Sequence, residues 1–223
     1  MPTMVAVVNS TVCCAGFLAA ATGLAAYLLG AIPCGLLLGR LRGIDIRETG
    51  SGNIGATNVF RSVGKGFGAL TLLLDAAKGF VPAFVFPRLV TCGSGNEPSL
   101  KLAVLCACLA VIGHNWPVYL KFKGGKGVAT SAGAMSGIVP AALGLAVIAW
   151  GIAFILTRYV SVASIAAAVV MVAAVWGLYV DTAAWVPGVV TVLGAIAVWR
   201  HRANIQRLRQ GTENRIEFRK ESE

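Results

Sequence analysis

Long reaches of this chain carry no charge. Asp, Glu, Lys and Arg are absent from Met1–Gly39, Leu102–Leu120, Gly127–Thr157, Tyr159–Val180 and Thr182–Trp199. Each run approaches or exceeds the roughly 18 to 20 residues that a helix needs to cross a bilayer. Phe67–Leu89 is a further apolar run, carrying Asp75 and Lys78. These two stand at i and i+3 on one helix face, where they read as a buried ion pair that locks the helix or as support for a nearby site. The pattern predicts an all-α integral membrane protein.

The polar residues gather between the runs, and their sign orients the chain. Arg40, Arg42, Arg47, Arg61 and Lys65 follow the first run, Lys121, Lys123 and Lys126 the third, Arg158 stands alone, and a basic tail begins near residue 200. The positive-inside rule places all of these in the cytoplasm, with the Lys- and Arg-poor stretches around Cys92–Ser99 and Asp181 outside. Lys126 and Arg158 are then both inside, so Gly127–Thr157 crosses twice or is re-entrant. Ser136, Gly137 and Pro140 supply the break, with Pro140 near the start of a second helix. Short helices are therefore expected in the 128–157 region, and "VATSAGAMSG" suits close packing against protein rather than lipid. The expectation is about seven transmembrane helices, amino end outside and carboxyl end cytoplasmic, in a single transmembrane domain over residues 1–223. The first run lacks a basic n-region and is too long for a typical signal-peptide core, so it is expected to be a span.

Composition agrees: of 223 residues 57% are apolar and 13% charged, with a mean hydropathy of +0.78, far from a soluble domain. The net charge of +10 sits in the inter-span segments rather than on a nucleic-acid-binding face, so no nucleic-acid partner is expected. The six cysteines, at 13, 14, 34, 92, 106 and 108, form no CxxC pair and lie mostly within runs. They read as small apolar packing residues, with neither zinc nor disulfides implied. No metal is expected.

Three polar segments fall on the cytoplasmic side: "GSGNIGATNVFRSVGKG" (Gly50–Gly66), "KFKGGKGVAT" (Lys121–Thr130) and "WRHRANIQRLRQGTE" (Trp199–Glu213). Glycine lets successive N–H groups turn inward around an anion, and neighbouring lysines add full charge. The second segment leads into a helix beginning near Val128, whose N-terminus adds its own affinity for phosphate. It is not a nucleotide P-loop, because Gly127 follows Lys126 and a membrane span precedes it. A flexible basic turn on anionic lipid is the plainer alternative. In the first segment Ser51, Asn53, Thr57, Asn58 and Arg61 are donors around Gly50, Gly52 and Gly55. A helix from Asn58 would bring Arg61 and Lys65 to its side at i+3 and i+7. In the third, His201 and Asn204 stand at i and i+3 on a last helix ended by Gly211, where His201 reads as base, phosphate ligand or interfacial residue. His114, in "GHNWPVY", reads as a packing and hydrogen-bonding residue.

Together with "LLLDAAKG", "GHNWPVYLKFKGGKGVAT" and "RYVSVAS", these segments resemble the PlsY family of membrane glycerol-3-phosphate acyltransferases, in order and spacing, from about Pro33 to Glu213. The resemblance implies transfer of a fatty acyl group from acyl phosphate to the 1-hydroxyl of sn-glycerol 3-phosphate. The products would be lysophosphatidate and inorganic phosphate, in the first acylation of bacterial phospholipid synthesis at the inner membrane. It places the essential Ser and Arg on Ser51 and Arg61, and the His and Asn on His201 and Asn204. The glycerol-phosphate-binding glycines fall on Gly124, Gly125 and Gly127, and a glutamate with a structural role on Glu213. Gly52, Asn53, Thr57, Asn58 and Lys65 are expected to line the substrates. Lys123 and Lys126 both fit the phosphate-binding lysine, and Ser164 or Ser161 the serine facing the site. No cofactor is implied. The expected partners are acyl phosphate, glycerol 3-phosphate and the bilayer, with a monomer, and other lipid-synthesis enzymes as candidate associates.

Acyl phosphate is a mixed anhydride with a good leaving group, so positioning, charge neutralisation and an oxyanion site suffice without a covalent nucleophile. The proton passes to His201 or to the donor's own phosphate. The H-x4-D pair of acyl-CoA- or carrier-protein-dependent acyltransferases is absent, since Tyr119 and Gln206 stand five places after the two histidines. A transporter would place polar residues at the midplane between inverted repeats. A structural membrane protein would not need the glycine, serine and asparagine spacing.

Overall fold

A computed structural model describes residues 4–91, 97–181 and 183–216, with side chains from residue 16 onward. All regular structure among the described residues is helical. The chain forms two compact units, Met1–Ile138 and Val139–Glu223.

The first unit holds α1 (Met4–Ala31), α2 (Cys34–Arg40), α3 (Ala56–Ser62), α4 (Lys65–Phe80), α5 (Phe86–Thr91), α6 (Leu100–Asn115) and α7 (Val128–Ser136). The apolar run that reads as one span at the amino end is broken at Ile32–Pro33, because Pro33 has no N–H to continue the ladder. The Ile32 carbonyl left there accepts a hydrogen bond from Lys78 Nζ at 2.8 Å. Lys78 in turn pairs with Asp75 Oδ1 at 2.9 Å, both side chains buried. The ion pair is thus present and spans a helix break as well as a helix turn. Between α4 and α5 the helix continues as a π-turn, Val81–Val85, around Pro82, where the missing N–H loosens the i to i−4 ladder. Ser99 caps α6, accepting from the Leu102 N–H at 3.4 Å.

Small residues set the helix pairs. An added Cβ on Gly79 would collide with the Thr130 carbonyl oxygen, and one on Gly133 with that of Ala76, so α4 and α7 meet backbone to backbone. The α1–α6 pair is built the same way through Gly30 against Ala110 and Gly113 against Tyr27. Tyr27 Oη also donates to the Trp116 carbonyl at 2.9 Å. Gly133→Ala should therefore lower the thermal midpoint of the detergent-purified protein, consistent with an overpacking cost of about 1 to 3 kcal/mol. Gly144→Ala, where a Cβ meets nothing within 4 Å, should not lower it. Equal midpoints for the two variants would contradict the close approach.

The second unit holds α8 (Pro140–Thr157), α9 (Val160–Leu178), α10 (Trp185–Arg200) and α11 (Arg202–Arg209), with α8 on α9 and α9 on α10. Pro140 opens α8 at its first position, so the break expected near Gly137 is there. α7, with 9 residues, rises only about 14 Å, less than half a hydrocarbon core. Among the described residues five stretches are long and apolar enough to cross a membrane: Gly16–Arg40, Lys65–Thr91, Leu100–Leu120, Pro140–Thr157 and Val160–Leu178. Trp185–Arg200 is a shorter apolar helix. The cysteines with described side chains, Cys34, Cys106 and Cys108, are free. The stretch from Cys92 to Asn96 lies outside the described residues.

Candidate active site

The loop leading to α3 is organised by Asn58. Its side chain is 2% exposed, and its Nδ2 donates to the carbonyls of Ile46 at 2.8 Å and Thr49 at 3.1 Å. Its Oδ1 accepts from the Ser51 N–H at 3.0 Å. Gly50 has φ +57, and the Asn58 amide stands where a Cβ on Gly50 would go, so this turn tolerates nothing larger. Asn58 is thus spent on shaping the loop, while Ser51 and Gly52 remain exposed at its crest. Asn53 Oδ1 accepts from the Gly55 N–H at 2.8 Å, an Asx turn that starts α3. Upstream, Arg47 Nε donates to Asp45 Oδ1 at 2.9 Å. The Arg47 side chain, and then its backbone N–H, hold the Asp45 carboxyl well below the carboxylate range.

Thr57 and Arg61 ride on α3, Thr57 half-buried and Arg61 exposed. The helix expected to continue from Asn58 to Lys65 does not: α3 ends at Ser62, Gly64 takes φ +135, and Lys65 starts α4. Lys65 is therefore not placed on a common helical face with Asn58 and Arg61. The 3.6-residue spacing was real, but glycine broke the helix that would have used it.

The second loop is held from α6. A 3-10 turn, Val118–Leu120, is followed by Lys121 and Phe122 with positive φ. The Phe122 N–H then returns to the Pro117 carbonyl at 3.0 Å. Gly125 donates its N–H to the His114 carbonyl at 3.1 Å, and a Cβ on Gly125 would run into His114 Nε2. Gly124 faces the His114 carbonyl and Pro117 as closely. Gly127, at φ +76, caps α7, so the glycines deliver the chain into a helix N-terminus whose first N–H groups have no intrahelical acceptor. Lys123 is exposed and Lys126 half-buried. The Asn115 amide, 1% exposed, lies against Gly127, and α7 carries Thr130, fully buried. Neither emerged as a candidate from the sequence, although polar residues at the end of an apolar run were a signal.

In the second unit the last helix is not continuous: α10 stops at Arg200, His201 takes a turn conformation, and α11 starts at Arg202. His201 is 2% exposed, with Nδ1 2.8 Å from the Ala197 carbonyl. A carbonyl only accepts, so Nδ1 carries the proton and Nε2 is the basic nitrogen of the neutral ring. Asn204, buried on α11, donates through Nδ2 to Glu213 Oε1 at 2.6 Å. Ser161 donates to the same oxygen at 2.9 Å, and Arg207 Nε to Oε2 at 2.7 Å. Glu213 thus ties α11 to the start of α9, and Ile216 extends the tie by donating to the Arg158 carbonyl at 3.0 Å. Ser164 bonds the Val160 carbonyl at 2.8 Å and receives Trp150 Nε1 at 3.4 Å. Ser161 is committed to the Glu213 clamp and Ser164 to its own helix. Arg207 was missed because nothing local distinguishes it within a basic helix.

Burial alone would raise the Glu213 carboxyl, but the hydrogen bonds from Asn204 and Ser161, followed by Arg207, outweigh it and hold the carboxyl below its ordinary 4.5. A depressed folded value makes the clamp fully stabilising above about pH 4.5 and weaker as pH falls through that depressed value. Protection factors of the amides in residues 202–213, corrected for the intrinsic exchange rate at each pH, should therefore fall on acidification below pH 4.5 and stay constant between pH 6 and 8. Glu213→Gln, which cannot titrate there, should flatten that response.

Among the described residues no group of three or more His, Cys, Asp or Glu could hold a metal ion. A family model described as glycerol-3-phosphate acyltransferase matches residues 20–211. The glycerol-3-phosphate acyltransferase of Geobacter sulfurreducens is 45% identical over 86% of this chain and 94% of its own. Glycerol-3-phosphate acyltransferase 1 of Deinococcus radiodurans is 46% identical over 86% and 93%. Crystal structures of PlsY, an integral membrane glycerol 3-phosphate acyltransferase, superpose in two forms. The glycerol 3-phosphate form gives a TM-score of 0.77 at 38% identity, covering 89% of this chain and 96% of that one. The lysophosphatidic acid form gives 0.78 at 37%, covering 89% and 95%.

Proposed function

Because the chain belongs to the glycerol-3-phosphate acyltransferase family, we propose that it transfers a fatty acyl group from acyl phosphate to the 1-hydroxyl of sn-glycerol 3-phosphate, releasing lysophosphatidate and inorganic phosphate. The observation that carries this reading is the Lys123–Gly127 loop, which is anchored on the His114 carbonyl and delivers its backbone into the N-terminus of α7. Glycines, two lysines and a helix N-terminus in one short stretch suit a phosphate. The position beside membrane-spanning helices suits a substrate whose acyl tail stays in lipid. The PlsY forms holding glycerol 3-phosphate and lysophosphatidic acid match the acceptor and product.

In this reading Gly124, Gly125 and Gly127 cradle the acceptor phosphate, with Lys123 or Lys126 neutralising it. Arg61 offers a planar fork to phosphate, and Ser51 a hydroxyl from a loop crest that Asn58 and Asn53 shape. His201 Nε2 or the donor's own phosphate takes the hydroxyl proton. Asn204, Ser161 and Glu213 hold the start of α11, and so position His201. Incubation of purified protein and glycerol 3-phosphate with acyl phosphate, acyl-CoA or acylated carrier protein should give lysophosphatidate from acyl phosphate alone. Equal product from a thioester would overturn the donor assignment.

We place the protein in the bacterial inner membrane with about seven crossings, amino end outside, carboxyl end and active site cytoplasmic, and as a monomer. Single cysteines at Ser62, Lys121 and Gln206 in a cysteine-free background should be labelled only from the cytoplasmic side, and one at Asn96 only from outside. External labelling at Lys121 would reverse the assignment.

A further inference from the structure

The first unit contains a buried polar cluster to which the proposed reaction assigns no step. Asp75, Lys78 and His114 are 2%, 4% and 4% exposed, on two different helices, α4 and α6. Lys78 Nζ bridges Asp75 Oδ1 and the Ile32 carbonyl at the break between α1 and α2. The same Asp75 oxygen lies 3.8 Å from His114 Nδ1. The other edge of the imidazole lies against the glycine-rich loop, since any Cβ on Gly125 would overlap Nε2 and come within 2.9 Å of both Cδ2 and Cε1. The backbone of the same residue accepts the Gly125 N–H. His114 therefore touches Gly125 twice, through its carbonyl and its ring, while the charge pair stands behind the ring.

Ionisable side chains are costly inside a membrane protein and persist where they pair and serve a site. A strut through α4 and α6 that only stabilised packing would not need its last member to end on the loop proposed to receive the acceptor phosphate. We infer that His114 is a positioning residue for glycerol 3-phosphate: backed by the Asp75–Lys78 pair, its ring props the Gly124–Gly127 backbone in the shape that receives the acceptor phosphate. This deepens the proposed function and rests on it. A prop of this kind acts on binding of the acceptor and leaves the acyl donor and the chemical step nearly untouched.

The test is a comparison of His114→Ala, His114→Gln and His114→Asn in the purified full-length enzyme. KM for glycerol 3-phosphate, KM for acyl phosphate, kcat and the thermal midpoint are measured for each. A glutamine amide reaches the place of Nε2, whereas an asparagine amide reaches only that of Nδ1, so the pair separates support of Gly125 from mere filling of the core. His114→Ala should raise KM for glycerol 3-phosphate about 10-fold, with kcat and the donor KM within about 3-fold of wild type. His114→Gln should recover most of that loss, and His114→Asn should not. Asp75→Asn should raise the same KM and be non-additive with His114→Ala, because both remove one strut.

An unchanged acceptor KM in His114→Ala would overturn the inference. So would a fall in kcat with KM intact, or equal behaviour of the Gln and Asn variants. If His114→Ala yields no folded enzyme, the Gln and Asn comparison decides alone. If the wild type shows no saturable dependence on glycerol 3-phosphate, the proposed function itself fails and the inference with it.

Discussion

His201→Ala should lower kcat/KM for acyl transfer by about 100-fold or more, the range removed with a general base or a transition-state ligand, while the protein stays inserted and folded. The ring is buried at a helix junction, and the Ala197 carbonyl fixes its tautomer. In the neutral ring Nε2 is then the basic nitrogen. His201→Gln separates the two remaining roles. As a base, His201 would take kcat down with it and leave both KM values near wild type; as a phosphate ligand, it would raise a KM and let part of the rate survive saturation. Activity near wild type in both variants would remove His201 from the reaction.

Gly125→Ala has the other large effect, a rise of about 10- to 100-fold in KM for glycerol 3-phosphate, the size that an overpacked site produces when the backbone has to shift. From the sequence alone the reason would be that a Cβ fills the anion cradle. The structure adds a second reason, because that Cβ points at His114, a buried ring with Asp75 and Lys78 on its far side. The ring has little room to retreat, so the loop moves instead. An intact KM with a collapsed kcat would show that Gly125 serves the reacting centre rather than the acceptor phosphate.

The apolar runs made the helices legible, and Pro140 marked the start of α8, because both signals are local. The break at Ile32–Pro33 was hidden inside an uncharged run that is long enough to read as one span, and its satisfaction by Lys78 depends on a partner far along the chain. Asn58 illustrates a different limit. The amide that could bind a substrate is equally able to bind its own backbone, and in the fold it does the second. Gly64 undid the expected alignment of Arg61 with Lys65, since helical spacing says nothing about whether the helix continues. The kink at His201 carries no proline or glycine to announce it. The Glu213 clamp joins the nearby Asn204 and Arg207 to Ser161, 52 residues away, and only the family resemblance pointed to a structural glutamate there.

The most direct test of the account is phosphate release by the purified, folded protein supplied with acyl phosphate, before and after addition of glycerol 3-phosphate. The account predicts little release from the donor alone, then release that saturates with glycerol 3-phosphate and matches lysophosphatidate one for one. Release indifferent to glycerol 3-phosphate, or lysophosphatidate formed without phosphate, would contradict it.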